Sequence, residues 1–118
     1  MTKRRATLRG IVTVAIDGKK IQDWKTFHRV FKEAMGFPGY YGMNMNAWID
    51  CMRDLGGNTE MSRFQLTEDE MLLIHIFHAE NLNKRLPEIM VALVDCTASV
   101  NEGTTAAGKK PKIALVLR

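Results

Sequence analysis

Asn46, Asp50 and Asp54 stand four residues apart in the middle of the chain, just after a pair of tyrosines, Tyr40 and Tyr41. On a helix an interval of four returns a side chain to the same face, so these groups form one polar row able to meet cations or hydrogen-bond donors. Met45, Trp48, Met52 and Leu55 recur on the opposite side as an apolar stripe. The spacing predicts a short helix with one face buried and the other offered outward. As acid/base catalysts the two carboxylates are unsuited, because carboxylates one turn apart on an exposed helix both stay ionised near neutral pH. The plainer reading of the same pattern is a wet surface, which is what most polar helix faces are.

The lead into this helix is a tight bend. Pro38 fixes its own φ and holds Phe37 extended, and Gly39 and Gly42 let the chain reverse within four residues. Asn44 is suited to cap the helix N-terminus, and Gly56-Gly57 stops it after Leu55.

The run Pro-x-Tyr-Tyr-Gly-x-Asn-x-x-Ala-x-x-Asp-Cys, here Pro38 to Cys51, resembles the signature of the barstar family, bacterial inhibitors of the secreted ribonuclease barnase. The likeness extends loosely along the chain: a short first strand, a helix rich in Phe and Val before the motif, and an apolar closing strand. It implies a stoichiometric inhibitor or immunity protein that plugs a ribonuclease active site with the loop and helix over 38–55, carboxylates lying where RNA phosphates would sit. Tyr40 and Asn44 match family contact positions, and Asp50 matches the main anchoring carboxylate. With Tyr41, Gly42, Asn46 and Asp54 beside them they make the expected partner-binding surface. Two positions depart from the family pattern: Asn46 replaces an acid one turn before the anchor, and Met43 replaces the acid just after the second glycine. A face with fewer charges suits a less basic partner, or meets it more slowly. Barnase itself is therefore a poor fit.

The elements that must position this stretch follow from the flanking residues. At 118 residues the chain has the length of one domain, and 46% hydrophobic with 25% charged residues is an ordinary globular balance. Ile11 to Ile16 reads as a strand ended by Asp17-Gly18. Asp23 caps a helix to Met35, in which Trp24, Phe27, Val30, Phe31 and Met35 repeat at helical spacing as core residues, and Gly36 ends it. Residues 57 to 70 read as a polar, partly mobile loop. Met71 to Phe77 is a strand, apolar enough to be covered on both faces. A helix runs from about Asn83 to Asn101 with Pro87 in its first turn, residues 102 to 111 form a loop, and Ile113 to Leu117 closes the chain as a strand. The order strand, helix, motif helix, strand, helix, strand predicts an α/β fold with a small three-stranded parallel sheet and helices packed against it, the architecture of barstar-like proteins.

Other chemistries are poorly served. His75 and His78, three apart, fall on opposite sides of a strand, and His28 stands alone on its helix, so no metal site is expected. Cys51 and Cys96 lack metal-type spacing and read as buried free thiols in a reducing cytoplasm. Gly103 to Lys110 resembles a phosphate-cradling G-x-x-x-x-G-K-[ST] loop. It fails because Lys110 takes the place of the hydroxyl that holds Mg²⁺ and because it joins a helix to a strand rather than the reverse. No nucleophile elbow or Cys–His pairing is recognisable, so an enzyme is not expected, nor a cofactor. No stretch has the length of a membrane span, and the six apolar residues after the basic start are too few for a signal peptide. The expected product is a soluble cytoplasmic protein, monomeric when free.

The net charge of +4 points first to nucleic acid, but its distribution points elsewhere. Residues 1–36 carry nine basic and three acidic side chains, residues 37–80 two and seven, and residues 81–118 six and three. The motif thus lies in the one acidic section of a basic chain, as contact with a phosphate-binding pocket requires. Glu68-Asp69-Glu70, a solvated turn, supplies much of that deficit. Two alternatives carry their own marks. A basic nucleic-acid-associated module would use a flexible arm over residues 1–9, with Lys3, Arg4, Arg5 and Arg9, together with Lys109, Lys110 and Lys112. A barstar scaffold reused for a partner other than a nuclease would fit the incomplete acid set.

Overall fold

The stripe read in the first helix forms as the spacing requires. In the computed structural model, which describes residues 10–57 and 60–118, helix α1 spans Trp24–Met35 and buries Phe27, His28, Phe31 and Met35 on one side. The Asp23 carboxylate accepts from the Thr26 N–H while the Thr26 hydroxyl accepts from the Asp23 N–H, a reciprocal cap that holds the Asp23 carboxyl below its usual range. Gly36 ends the helix in the left-handed region at φ 68°, donating to the Lys32 carbonyl. A side chain there would meet that strained φ and the Arg63 Cβ at 2.9 Å. Trp24 sits at the margin of the core, 39% exposed, its ring edge-on to Phe27.

Three strands, β1 (Gly10–Asp17), β2 (Glu70–Phe77) and β3 (Ile113–Leu117), pair in parallel in the order β1-β2-β3. Val14 stands opposite Ile74, and Ile74 opposite Leu115. The buried face carries Val14 and Ile16 of β1, Leu72, Ile74 and Ile76 of β2, and Ile113 of β3. The other face is not covered as the apolar run of β2 suggested. Ile11, Thr13, Ala15 and Phe77 are exposed there, and Met71, Leu73 and His75 half-buried. All-parallel sheets are normally buried on both sides. Here the helices occupy one side only among the described residues.

Between α1 and β2 lies α2 (Met45–Arg53), continued by a 3₁₀ turn over Asp54–Gly56. Beyond β2 the chain forms two helices where one was expected: α3 (Ala79–Arg85) and α4 (Pro87–Ala106). Pro87 takes the first position of α4, where its missing N–H costs nothing, and it disfavours helical angles at Leu86 (φ −138°, ψ 64°), which divides the run. The order is therefore β-α-α-β-α-α-β, with α4 extending to Ala106 through much of the expected loop. Ile89, Met90, Leu93, Thr97 and Val100 face the core from α4.

The expected mobile loop before β2 is, over residues 60–69, a fastened strap. Ser62, Phe64 and Leu66 are buried, the Arg63 N–H and the Ser62 hydroxyl both donate to the Met35 carbonyl, and the Leu66 N–H donates to the Leu55 carbonyl. No described helix is long and apolar enough to cross a membrane. The basic segment 1–9 lies outside the described residues.

Candidate functional site

Helix α2 is anchored by its apolar side. Trp48, Cys51 and Met52 are buried, the Trp48 ring meets Phe31 of α1 edge-on with centroids 5.7 Å apart, and α2 also packs on α4. Asn46, Asp50 and Arg53 lie exposed on the other side. Asp54, in the turn that follows, is half-buried.

Of the seven residues expected at the partner surface, six divide into two groups, with Gly42 at the bend between them. Tyr40, Asn46 and Asp50 point outward, Tyr40 with 73% of its surface exposed. Tyrosine is among the residue types enriched at the anchoring positions of protein interfaces. Tyr41, Asn44 and Asp54 are employed within the chain. Tyr41 is only 6% exposed, and its hydroxyl is hydrogen-bonded to Nδ1 of the buried His28, 2.5 Å away. The Asn44 side chain caps α2, accepting from the Ala47 N–H at 2.8 Å and donating to the Gly42 carbonyl at 3.2 Å. Asp54 Oδ2 accepts from the Met61 N–H at 3.2 Å, tying the end of α2 to the strap. Gly42 is exposed at the bend, where a Cβ would lie 3.3 Å from Asn44 Nδ2.

Two residues at this site were not read from the sequence in these roles. Met43, where the family pattern has an acid, is 37% exposed and held at φ 55°, a conformation costing about 1 kcal/mol or more for a side chain of this type. Its chemistry was visible but its strain was not. His28 lies 3% exposed in α1, its ring also stacked near Trp24 and edge-on to Phe27. The one signal that pointed to it was a histidine set inside an aromatic stripe.

The titratable groups beneath the surface are kept neutral. Burial lowers the pKa of His28 and raises that of Tyr41 well above the ordinary phenol range. Burial, reinforced by the nearby Asp50 and Asp54 carboxylates, pushes the Cys51 thiol up to about 11. A thiol so protected is no nucleophile at neutral pH. Cys51 and Cys96 are both free thiols, Cys96 only half-buried. Among the described residues no group of three or more His, Cys, Asp or Glu is placed to hold a metal ion.

Fold and site together define a small α/β domain with one exposed polar helix face and an exposed tyrosine on the bend before it. Residues 11–116, nearly the whole chain, match the family model described as barstar (barnase inhibitor), and the chain belongs to that family. No curated protein matches it. The family is one of inhibitors and implies in general a ribonuclease as protein partner.

Proposed function

We propose that the chain is a cytoplasmic ribonuclease inhibitor or immunity protein that acts stoichiometrically, laying the 38–55 bend and helix over the nuclease active site. The observation that carries the reading is the exposure of Asp50 on the outer side of a helix whose inner side is locked into the core by Trp48 and Met52. A rigidly held carboxylate loses little conformational freedom on binding and can replace an RNA phosphate among basic groups.

Within this reading Tyr40, Asn46 and Asp50 make the contacts, Tyr41 and Asp54 hold the surface in shape from beneath, and the exposed Asn44 holds it by capping α2. Asn46 still accepts hydrogen bonds but brings no charge, and Met43 adds an apolar patch where an acid would lie. The proposed target is therefore a toxin-type or secreted ribonuclease with a less basic rim than the family's usual partner, bound by a chain that is monomeric when free.

Co-expression tests the proposal. Cells carrying a candidate ribonuclease toxin should survive when the wild-type chain is present and die when Asp50 is replaced by Ala. Equal survival with both would remove Asp50 from the interface.

A further inference from the structure

The outward row of α2 differs from the one its spacing predicted. Asn46, Asp50 and Arg53 are exposed, whereas Asp54, expected to end the row, is half-buried in the following turn and accepts from the Met61 N–H. At roughly 100° per residue the three exposed groups lie within about 60° of one another around the helix, and Arg53 stands about 4.5 Å beyond Asp50 along its axis. The row therefore ends in a cation where a second carboxylate was expected, and its one acid is balanced by one base.

Opposite charges three residues apart on a helix are placed to pair with each other. Here they do not: no ion pair of Asp50 or Arg53 is formed among the described residues. The guanidinium lies instead beside α4, with Nε 3.4 Å and Nη2 3.7 Å from where a Cβ on Gly103 would stand. Turned that way, it leaves the Asp50 carboxylate bare. A contact centred on Asp50 must nevertheless include Arg53, because an interface of ordinary size covers about 800 Å² of each partner and the two residues are less than one helical turn apart. Set against the phosphate-binding cations of a nuclease, the guanidinium would meet like charge at a cost of several kcal/mol. Set against an apolar surface, it would be a desolvated charge without a mate. An acid opposite it removes both costs.

We infer, resting on the ribonuclease reading above, that Arg53 is a specificity determinant of this face and that the nuclease it fits carries an Asp or Glu side chain within about one helical turn of the cation that takes Asp50. A guanidinium can grip a carboxylate with two parallel hydrogen bonds, so the pair fixes the angle of α2 on its target as well as adding attraction. Asp50 and Arg53 together read a cation and an acid in a set order. A nuclease that is uniformly basic at this place is refused by the repulsion at Arg53, and one that is acidic throughout by the repulsion at Asp50.

The test is calorimetric titration of the full chain into a panel of small secreted bacterial ribonucleases, using wild type, Asp50→Ala, Arg53→Ala and Arg53→Glu. Against a nuclease that wild type binds, Arg53→Ala should weaken binding about tenfold, equivalent to about 1.4 kcal/mol, and Arg53→Glu about a hundredfold or more. Replacing the surface Asp and Glu residues of that nuclease by Lys, one at a time, should yield one variant that restores binding to Arg53→Glu. A merely structural role for Arg53 between α2 and α4 would not be rescued by a change in the partner. Weakened binding by Asp50→Ala with Arg53→Glu as tight as wild type or tighter overturns the Arg53 assignment and leaves the ribonuclease reading standing. Loss of binding by Arg53→Glu that no acid-to-Lys change in the nuclease restores overturns the carboxylate partner. Failure of wild type to bind any nuclease, or equal binding by Asp50→Ala, overturns the ribonuclease reading and the Arg53 assignment together.

Discussion

His28 of α1 and Tyr41 of the bend before α2 share a buried hydrogen bond, 2.5 Å between Nδ1 and the phenol oxygen. Thirteen residues separate them in sequence, and the bond fastens the bend to the first helix. Tyr41 also packs on Phe37, centroids 4.8 Å apart, so the bend closes on itself around this ring. Its neighbour Tyr40 is directed outward as a consequence.

Removing the Tyr41 hydroxyl should therefore loosen the bend without emptying the core. Tyr41→Phe keeps the ring and leaves the buried His28 nitrogen without its partner, at a cost of about 1–3 kcal/mol in urea denaturation. Binding to a ribonuclease should weaken as well, although Tyr41 itself lies beneath the surface.

The same pair makes stability depend on pH. Burial places the His28 pKa in the folded chain below its ordinary 6.5, so between those two values the unfolded chain binds more protons. Stability should be fully present above about 6.5 and decline as pH falls from there through the lowered folded value. Tyr41 and Cys51 act at the other end: both pKa values are raised on folding, so their contributions are present in the neutral range and lost as pH rises through the alkaline range. Melting temperature followed from pH 5 to 11 should show both declines, and His28→Gln should flatten the acidic one.

Asp50 and Asp54 should separate by what each change disturbs. Asp54→Ala removes the acceptor of the Met61 N–H and should cost about 1 kcal/mol of stability. Asp50 is exposed and no internal bond to it is formed among the described residues, so Asp50→Ala should leave the denaturation midpoint unchanged within about 0.5 kcal/mol. A stability loss for Asp50→Ala as large as for Asp54→Ala would place that carboxylate inside the fold.

Trp48 is fully buried, and its indole Nε1 has no hydrogen-bond partner among the described residues. An unsatisfied buried donor costs free energy, so Trp48→Phe removes a penalty while it shrinks the ring. The net loss in urea denaturation should stay well below the roughly 3–5 kcal/mol usual for truncating a buried tryptophan to alanine.

Much of this was legible because local signals agreed with the fold. Asp23, the stripe from Phe27 to Met35 and Gly36 wrote α1 to the residue, and Asn44 with Trp48 and Met52 wrote the buried side of α2. What was not legible depended on partners distant in sequence. The His28–Tyr41 bond gives no local trace. Gly103 fell within the loop expected over 102–111, yet it lies inside α4, with Arg53 of α2 close by it. Pro87 was read inside the first turn of one helix, whereas the non-helical angles at Leu86 divide the run into two. The open outer face of the sheet was missed because an apolar strand looks the same whether both faces are covered or one.

The central claim is that Asp50 anchors a ribonuclease, and calorimetric titration of the chain into a panel of small secreted bacterial ribonucleases tests it most directly. The account predicts a one-to-one complex with at least one of them, weakened by about 2–5 kcal/mol in Asp50→Ala, a range carried over from interfaces among which the barstar pair is itself a measured example. The exposed Asp95→Ala should bind as wild type does. Equal affinity of Asp50→Ala and wild type for the same nuclease would contradict the account.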